Sequence, residues 1–97
     1  MTGPTLKVLA ELLRQPMKDV SGADVARSTS LASGTLYPIL MRLESAKWVT
    51  SCWEEVEPSE VKRPRRRLYR LTGEGERNAR AAFVEIAPAW GGLAWNP

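Results

Sequence analysis

The residues from Lys62 to Arg70 read Lys-Arg-Pro-Arg-Arg-Arg-Leu-Tyr-Arg, and they join a cluster of positive charge to the start of a β-strand. Six of the chain's 14 Lys and Arg lie in this segment, which leaves 8 against 11 Asp and Glu elsewhere. Such a local excess is typical of a loop that binds a polyanion, because each cation placed on a phosphate releases condensed counterions. A solvated surface segment is the alternative, and the surrounding sequence decides between the two.

Length and composition indicate one small domain. The 97 residues include 43% apolar and 26% charged side chains, the usual balance for a globular chain. No apolar run is long enough to span a membrane, and the start, Met1 to Pro4, lacks the pattern of a signal peptide. We therefore expect a cytoplasmic protein that has no membrane partner.

The chain has no His and a single cysteine, Cys52. An internal disulfide is thereby excluded, and zinc binding and Cys/His catalysis are nearly so. The sequence also lacks a Gly-rich phosphate loop, a Ser/His/Asp set and a carboxylate pair in an apolar setting. We expect no catalytic residue, no metal and no cofactor, and we interpret Cys52 as an inert strand residue.

Three helices are predicted in the first half of the chain. The first runs from Thr5 to Arg14, with leucines at helical spacing, and Pro16 ends the pattern. The second opens with Ser21 and Asp24 at capping-box spacing and continues to about Ser28. The third ends near Ala46, and we expect Thr35 as its N-cap, which would place Pro38 in the first turn. Its apolar face is formed by Leu36, Ile39, Leu40 and Leu43.

Two alternating segments, 48–55 and 67–72, predict the strands of a hairpin joined by a loop of roughly ten residues. Pairing Val49 with Leu71 would place Ser51 beside Tyr69 and Trp53 beside Arg67. Trp53 would then lie on the inner face of the hairpin, where we expect it to belong to the core. The same register sets Glu54 and Glu55 across from Arg66 and Arg65.

A fourth helix follows, capped by Thr72 and ending before Pro88, and a tail with Trp90 and Trp95 completes the chain. The apolar faces of the first and fourth helices exceed what a small core can cover. We therefore predict a homodimer, in which these faces meet. The tail tryptophans could stack on a flat effector, although a hydrophobic seal between subunits is the simpler interpretation. The predicted interface consists of Leu6, Leu9 and Leu13 against Phe83, Ile86 and Trp90.

This order of elements predicts an α+β, mainly helical fold: a winged helix-turn-helix with three helices, a two-stranded wing hairpin and a C-terminal dimerisation helix. The third helix would enter the major groove of DNA, and the basic segment would form the tip of the wing. Arg67 and Arg70 belong to the strand and should matter less. The predicted DNA contacts are Ser33, Thr35, Tyr37, Pro38, Met41 and Arg42 on the helix, and Lys62, Arg63, Arg65 and Arg66 on the wing.

Two of the helix residues have open alternatives. Tyr37 could donate its hydroxyl to a phosphate or pack half-buried, and the DNA role is preferred. Arg42 could read a guanine edge, but a phosphate is favoured, because most protein–DNA hydrogen bonds go there. Glu44, near the end of the same helix, is expected to make an internal pair.

Several motifs resemble those of PadR-type transcriptional regulators. They are Gly34-Thr35-Leu36-Tyr37-Pro38 with Arg42-Leu43-Glu44, Trp53-Glu54-Glu55, Arg63-Pro64-Arg65, and Tyr69-Arg70-Leu71-Thr72 with Gly75. The resemblance implies a homodimeric bacterial repressor whose small-molecule or stress input loosens DNA binding. The short C-terminal part is similar to the compact subgroup of that family. Members usually have Gly after the third helix, where this chain has Lys47; a left-handed Lys costs about 1 kcal/mol.

We therefore expect a transcriptional regulator that binds an inverted-repeat operator as a homodimer and is associated with the bacterial nucleoid when bound. Residues 1–72 would form the DNA-binding domain, and residues 73–97 the dimerisation helix and tail of the same unit. The alternative is a winged-helix module for protein–protein contact or architectural DNA binding without a specific operator. The sequence specifies neither the operator nor an effector.

Overall fold

The computed structural model describes residues 2–86, which form five helices and three short strands. None of these helices is both long and apolar enough to cross a lipid bilayer. In chain order the elements are α1 (Gly3–Leu13), β1 (Val20–Ser21), α2 (Gly22–Thr29), α3 (Ser33–Ser45), β2 (Val49–Trp53), α4 (Pro58–Val61), β3 (Arg67–Leu71) and α5 (Gly73–Ile86).

Hydroxyl caps start the second and the last helix, as the sequence predicts. The Ser21 hydroxyl accepts a hydrogen bond from the backbone N–H of Asp24 at 3.1 Å and opens α2. The Thr72 hydroxyl accepts from the N–H of Gly75 at 2.9 Å and opens α5. Each cap satisfies one of the N–H groups that a helix start leaves without a partner, and it fixes where the helix begins.

The start of α3 differs from the prediction. The helix begins at Ser33, with Ala32 as its N-cap, so Pro38 lies in the second turn and Thr35 is not the cap. The N–H groups of Thr35 and Leu36 both donate to the carbonyl oxygen of Ala32 at 2.9 Å, which closes the first turn without a side-chain cap. Pro38 cannot donate to the carbonyl of Gly34, but Gly34 is exposed and that oxygen can bond to water.

The end of α3 forms a Schellman motif around a non-glycine residue. The N–H of Trp48 donates to the carbonyl of Leu43 at 2.9 Å, and the N–H of Lys47 donates to that of Glu44 at 3.0 Å. Lys47 has φ 66°, in the left-handed region, at a conformational cost of about 1 kcal/mol. The chain thus makes the turn that usually takes Gly, with Lys47 in the left-handed position.

The hairpin register is the predicted one. Val49 pairs with Leu71, Ser51 with Tyr69 and Trp53 with Arg67 in an antiparallel ladder. The two-stranded hairpin is confirmed, and the sheet contains one strand more than was predicted, because β1 pairs with the other edge of β3 in the order β1-β3-β2. The wing tip also contains a turn of helix, α4, where a plain loop was expected.

The core lies between the helices and the inner face of the sheet. It includes the predicted apolar face of α3, together with Val8, Leu9 and Leu12 of α1. Val49, Tyr69 and Leu71 cover it from the sheet, and Ala79 and Phe83 cover it from α5. This arrangement, with α2 and α3 followed by a hairpin that projects from the core, is a winged helix-turn-helix.

Candidate nucleic-acid interface

The outward face of α3 has no part in the core. All six residues predicted to contact DNA from this helix are exposed, and Met41 is 68% exposed. The inward residues Leu36 and Leu40 are fully buried, so the orientation of the helix about its own axis is fixed by packing. The structure therefore presents one side of α3 as a rigid, solvent-facing surface, formed by Ser33, Thr35, Tyr37, Pro38, Met41 and Arg42.

Tyr37 packs against a neighbouring helix, and its contact with DNA stays a prediction. Tyr37 is 40% exposed, and its ring lies against Gly22, the first residue of α2. A Cβ atom at Gly22 would lie 2.6 Å from the Tyr37 hydroxyl oxygen, so any larger residue there would displace the ring. The contact holds the tyrosine between the two helices of the helix-turn-helix and leaves it partly open to a ligand.

The other polar residues of α3 divide between binding and structure. Within the described residues, no hydrogen bond or ion pair engages the guanidinium of Arg42, which extends into solvent. The carboxylate of Glu44 accepts a hydrogen bond from the Ser51 hydroxyl on β2. The predicted internal contact of Glu44 is thereby confirmed, and Glu44 connects the helix to the wing.

Arg63, one of the predicted wing contacts, is bonded inside the wing. Its Nη1 lies 2.6 Å from Oε1 of Glu54, and its Nη2 lies 3.1 Å from Oε2, so the pair is bidentate. The hydrogen bond from Arg63 holds the pKa of the Glu54 carboxyl below its ordinary value, and the same bond raises the pKa of Arg63. Register alone set Glu54 opposite Arg66, which meets it through the backbone; the side-chain partner is Arg63.

Of the other three cations of the wing tip, one is bonded inside the wing and two are not. Nε of Arg65 donates to the backbone carbonyl of Val56 at 2.9 Å, across the base of the tip. Within residues 2–86, the side chains of Lys62 and Arg66 have no hydrogen bond or ion pair and are exposed. Arg63 and Arg65 therefore shape the tip, whereas Lys62 and Arg66 are its available charges.

Trp53 is not the core residue that the alternation predicts. It is 59% exposed, although it lies on the same face of β2 as the buried Val49. The core ends near Ser51, and Trp53 lies beyond it, with the guanidinium carbon of Arg67 5.0 Å from the centroid of its ring. The predicted register did indicate that Arg67 faces Trp53, but burial was inferred from alternation alone.

Of the residues predicted for the dimer interface, the structure describes the side chains of Leu6, Leu9, Leu13 and Phe83. Leu6 and Leu13 are half-buried, and an apolar groove of about 310 Å³ between α1 and α5 is lined by Gly3, Leu6, Lys7, Ala10 and Phe83. Leu9 is fully buried in the core and has no surface left for a partner, so its assignment to the interface is wrong. The helical spacing could not show this, because Leu9 shares a face with Leu6 and Leu12. Trp90 and the side chain of Ile86 lie outside the described residues.

The architecture is similar to that of solved regulator structures. The PcaV transcriptional regulator from Streptomyces coelicolor, in complex with its natural ligand, is 27% identical, with a TM-score of 0.75 over 91% of this chain and 57% of that one. A PadR-like transcription factor from Bacteroides fragilis is 23% identical, with a TM-score of 0.68 over 92% and 87%. MepR of Staphylococcus aureus, in its DNA-binding conformation, is 18% identical, with a TM-score of 0.74 over 97% and 64%.

The chain spans less than two thirds of the length of PcaV and of MepR, 57% and 64%. No protein with a curated description is significantly similar to it in sequence. The family match is a family of transcription factors and not of enzymes. Residues 13–81, most of the chain, match the transcriptional regulator PadR-like family, and the chain belongs to that family.

Proposed function

We propose that this protein is a transcriptional repressor that binds double-stranded DNA as a homodimer, at an operator with inverted-repeat symmetry. The observation that carries the proposal is the exposed face of α3, whose side chains take no part in the core. It lies beside a wing tip in which Lys62 and Arg66 make no hydrogen bond or ion pair within residues 2–86. Membership of the PadR-like family supports DNA binding. Repression would follow from occlusion of polymerase at a promoter.

In the proposed complex, α3 enters the major groove of one half-site, and Thr35 and Arg42 face the base edges and the adjoining phosphates. The wing tip follows the backbone toward the neighbouring minor groove, where Lys62 and Arg66 neutralise phosphates. The DNA contacts lie within the predicted DNA-binding domain, residues 1–72, and α1 and α5 would join two copies. PcaV is described with its natural ligand, and a small-molecule effector is part of the proposal for this chain.

The assembly can be tested without DNA. The apolar groove between α1 and α5 should be covered by the same elements of a second copy, with burial of apolar area as the driving term. Light scattering at micromolar concentration is expected to give twice 10.8 kDa. Leu6→Glu should give a monomer, because it would bury an unpaired charge in that interface.

Met17→Glu is the matched control for the dimer. Met17 is 82% exposed and lies outside the groove, so the same substitution there should leave the mass unchanged. A wild-type monomer at micromolar concentration that still binds DNA tightly would remove the homodimer from the proposal.

Substitutions can distinguish the contacts that the wing makes with phosphates from those that α3 makes with bases. Lys62→Ala combined with Arg66→Ala is expected to weaken binding to operator and random DNA alike. The slope of log K against log salt should fall by about 0.9 for each lost phosphate contact. Thr35→Ala should instead reduce the preference for the operator, by about 1–3 kcal/mol for each lost base contact, and Arg42→Ala should do so where Arg42 reads a base edge and not a phosphate. Both effects are measured by fluorescence anisotropy over a salt series.

Lys18→Ala combined with Arg77→Ala removes the same charge away from the tip. The register of β1, extended by two residues, sets Lys18 opposite Leu71, at the end of β3 away from the tip, and both Lys18 and Arg77 are exposed. This control should leave the salt slope nearly unchanged. An unchanged slope in the wing variant as well would show that the basic segment is a solvated surface and has no phosphate contacts.

A further inference from the structure

Trp53 is a large aromatic side chain that the fold leaves exposed on the wing. It lies 59% exposed at the end of β2, two positions beyond Ser51 on the same face, between the contact of the wing with α3 and the wing tip. Among residues 2–86, Trp53 belongs neither to the core nor to the apolar side chains that pack against it. Its neighbour is Arg67, the partner of Trp53 in the ladder, whose guanidinium carbon lies 5.0 Å from the ring centroid.

Arg67 is held in one orientation from two sides. The indole ring of Trp53 supports one face of its guanidinium, and its Nε donates to the Ser51 hydroxyl at 3.1 Å. Ser51 in turn donates to the carboxylate of Glu44, so the sequence of contacts runs from α3 through Ser51 to Arg67. The hydroxyl stands between the acid and the guanidinium, and no direct bond joins Glu44 to Arg67 within residues 2–86.

The two terminal nitrogens of Arg67 remain available. Within residues 2–86, no hydrogen bond or ion pair engages its Nη1 or Nη2. A planar guanidinium with both terminal nitrogens free, fixed at Nε and on one face, matches the bidentate geometry of a phosphate. The support lowers the entropy that a flexible arginine would lose on binding.

The position of Trp53 and Arg67 on the wing indicates which ligand they would meet. When α3 lies in one groove and the tip reaches the next, the DNA strand between the two grooves must pass the segment of wing that lies between them. We infer that Arg67, oriented by Trp53 and Ser51, binds a phosphate of that strand. The inference rests on the proposed function. It gives Arg67 a larger role than its place in the strand suggested, with Trp53 as its positioning residue.

The test uses the full chain and a random-sequence duplex, because a phosphate contact does not depend on the operator. Arg67→Gln is expected to weaken binding about tenfold, the usual loss for a hydrogen bond to a charged group. It should also lower the slope of log K against log salt by about 0.9 for each bound protomer. Trp53→Leu keeps the charge, so it should keep the slope and weaken binding only about threefold, through the loss of the ring.

Arg70→Gln is the matched control. It removes the same charge from the opposite face of the same strand, where Arg70 lies 3.8 Å from Asp19. Its effect on affinity should stay within about twofold, because exposed charges away from the contact are screened. Arg67→Lys should keep most of the salt slope and still bind more weakly, since an ammonium cannot form the planar fork.

Equal affinities and slopes for Arg67→Gln and Arg70→Gln would overturn the inference and leave the pair as a surface contact. If Arg67→Gln lowers the unfolding midpoint, Arg67→Lys and Trp53→Leu decide the matter, and unchanged affinity in both would also overturn it. Absence of duplex binding by the wild-type chain at low salt would refute the proposed function itself, together with this inference. That failure is distinguishable, because it appears before any substitution is made.

Discussion

Gly75→Ala is expected to lower the thermal midpoint of unfolding by roughly 10–20 °C, the largest effect of any single substitution considered for the fold. A Cβ atom at this position would lie 1.8 Å from the carbonyl oxygen of Trp48 and 2.6 Å from its carbonyl carbon. Overpacking of this kind costs about 1–3 kcal/mol, and each kcal/mol lowers the midpoint by about 4–8 °C in a domain of this size. Differential scanning calorimetry gives the midpoint directly.

The overlap is with backbone, so no side chain can move aside. The Trp48 carbonyl already accepts the N–H of Thr72 at 2.9 Å, and the Thr72 hydroxyl donates to the carbonyl of Lys47 at 2.7 Å. Separating Gly75 from Trp48 would stretch these bonds together. The strain would therefore be shared between the end of α3, the start of β2 and the first turn of α5.

Gly73→Ala is the control for Gly75→Ala, two residues earlier in the same helix. A Cβ atom there meets only the Arg77 side chain at 3.5 Å, which is ordinary contact. Alanine also favours the helix over glycine, so this variant should match or slightly exceed the wild type. Equal midpoints for the two variants would show that the contact between α5 and Trp48 adjusts without cost.

A second large effect is expected from the geometry of the operator. Footprinting on the DNA upstream of the protein's own coding region is expected to protect an inverted repeat, with half-sites centred about 10 bp apart or a multiple of it. Five base pairs inserted between the half-sites should weaken binding by about a thousandfold, toward the affinity for random DNA. The insertion turns one half-site to the far side of the duplex, where the second α3 cannot reach it.

The same five base pairs placed outside the repeat provide the control, since length and composition then change without a change of phase. Binding to that duplex should equal binding to the original. Indifference to the internal insertion would favour the architectural alternative, in which the protein binds DNA without a defined operator.

The sequence predicted those parts of the fold that depend on repeating patterns. The register of the hairpin follows from alternation, because a shift of one residue would turn Val49, Tyr69 and Leu71 away from the core. The caps at Ser21 and Thr72 follow from hydroxyls placed before helical segments. The outward face of α3 follows because its inward leucines define the opposite side.

Features that depend on a single neighbour were missed. Strand β1 has two residues, Val20 and Ser21, too few to show alternation, and Ser21 also serves as a helix cap. The pairing of Arg63 with Glu54 depends on how the tip folds back, since several arginines are equally close in sequence. The exposure of Trp53 depends on where the core ends, which alternation does not specify.

The position of the Trp48 carbonyl group, between three elements of the fold, affects how they can move together. The end of α3, the start of β2 and the cap of α5 all meet at this one peptide, since Lys47 precedes it and Thr72 is bonded to it. The three elements are therefore connected at a single point. Because these hydrogen bonds join the end of α3 directly to the residue that caps α5, we expect a displacement of α5 to be transmitted to α3. The contacts described for the tip beyond Trp53, which are the Arg63–Glu54 pair and the bond from Arg65 to Val56, lie within the wing itself, so we expect the tip to move without turning either helix. We therefore expect a change at the groove between α1 and α5 to be passed on to α3, and the tip of the wing to move independently of both.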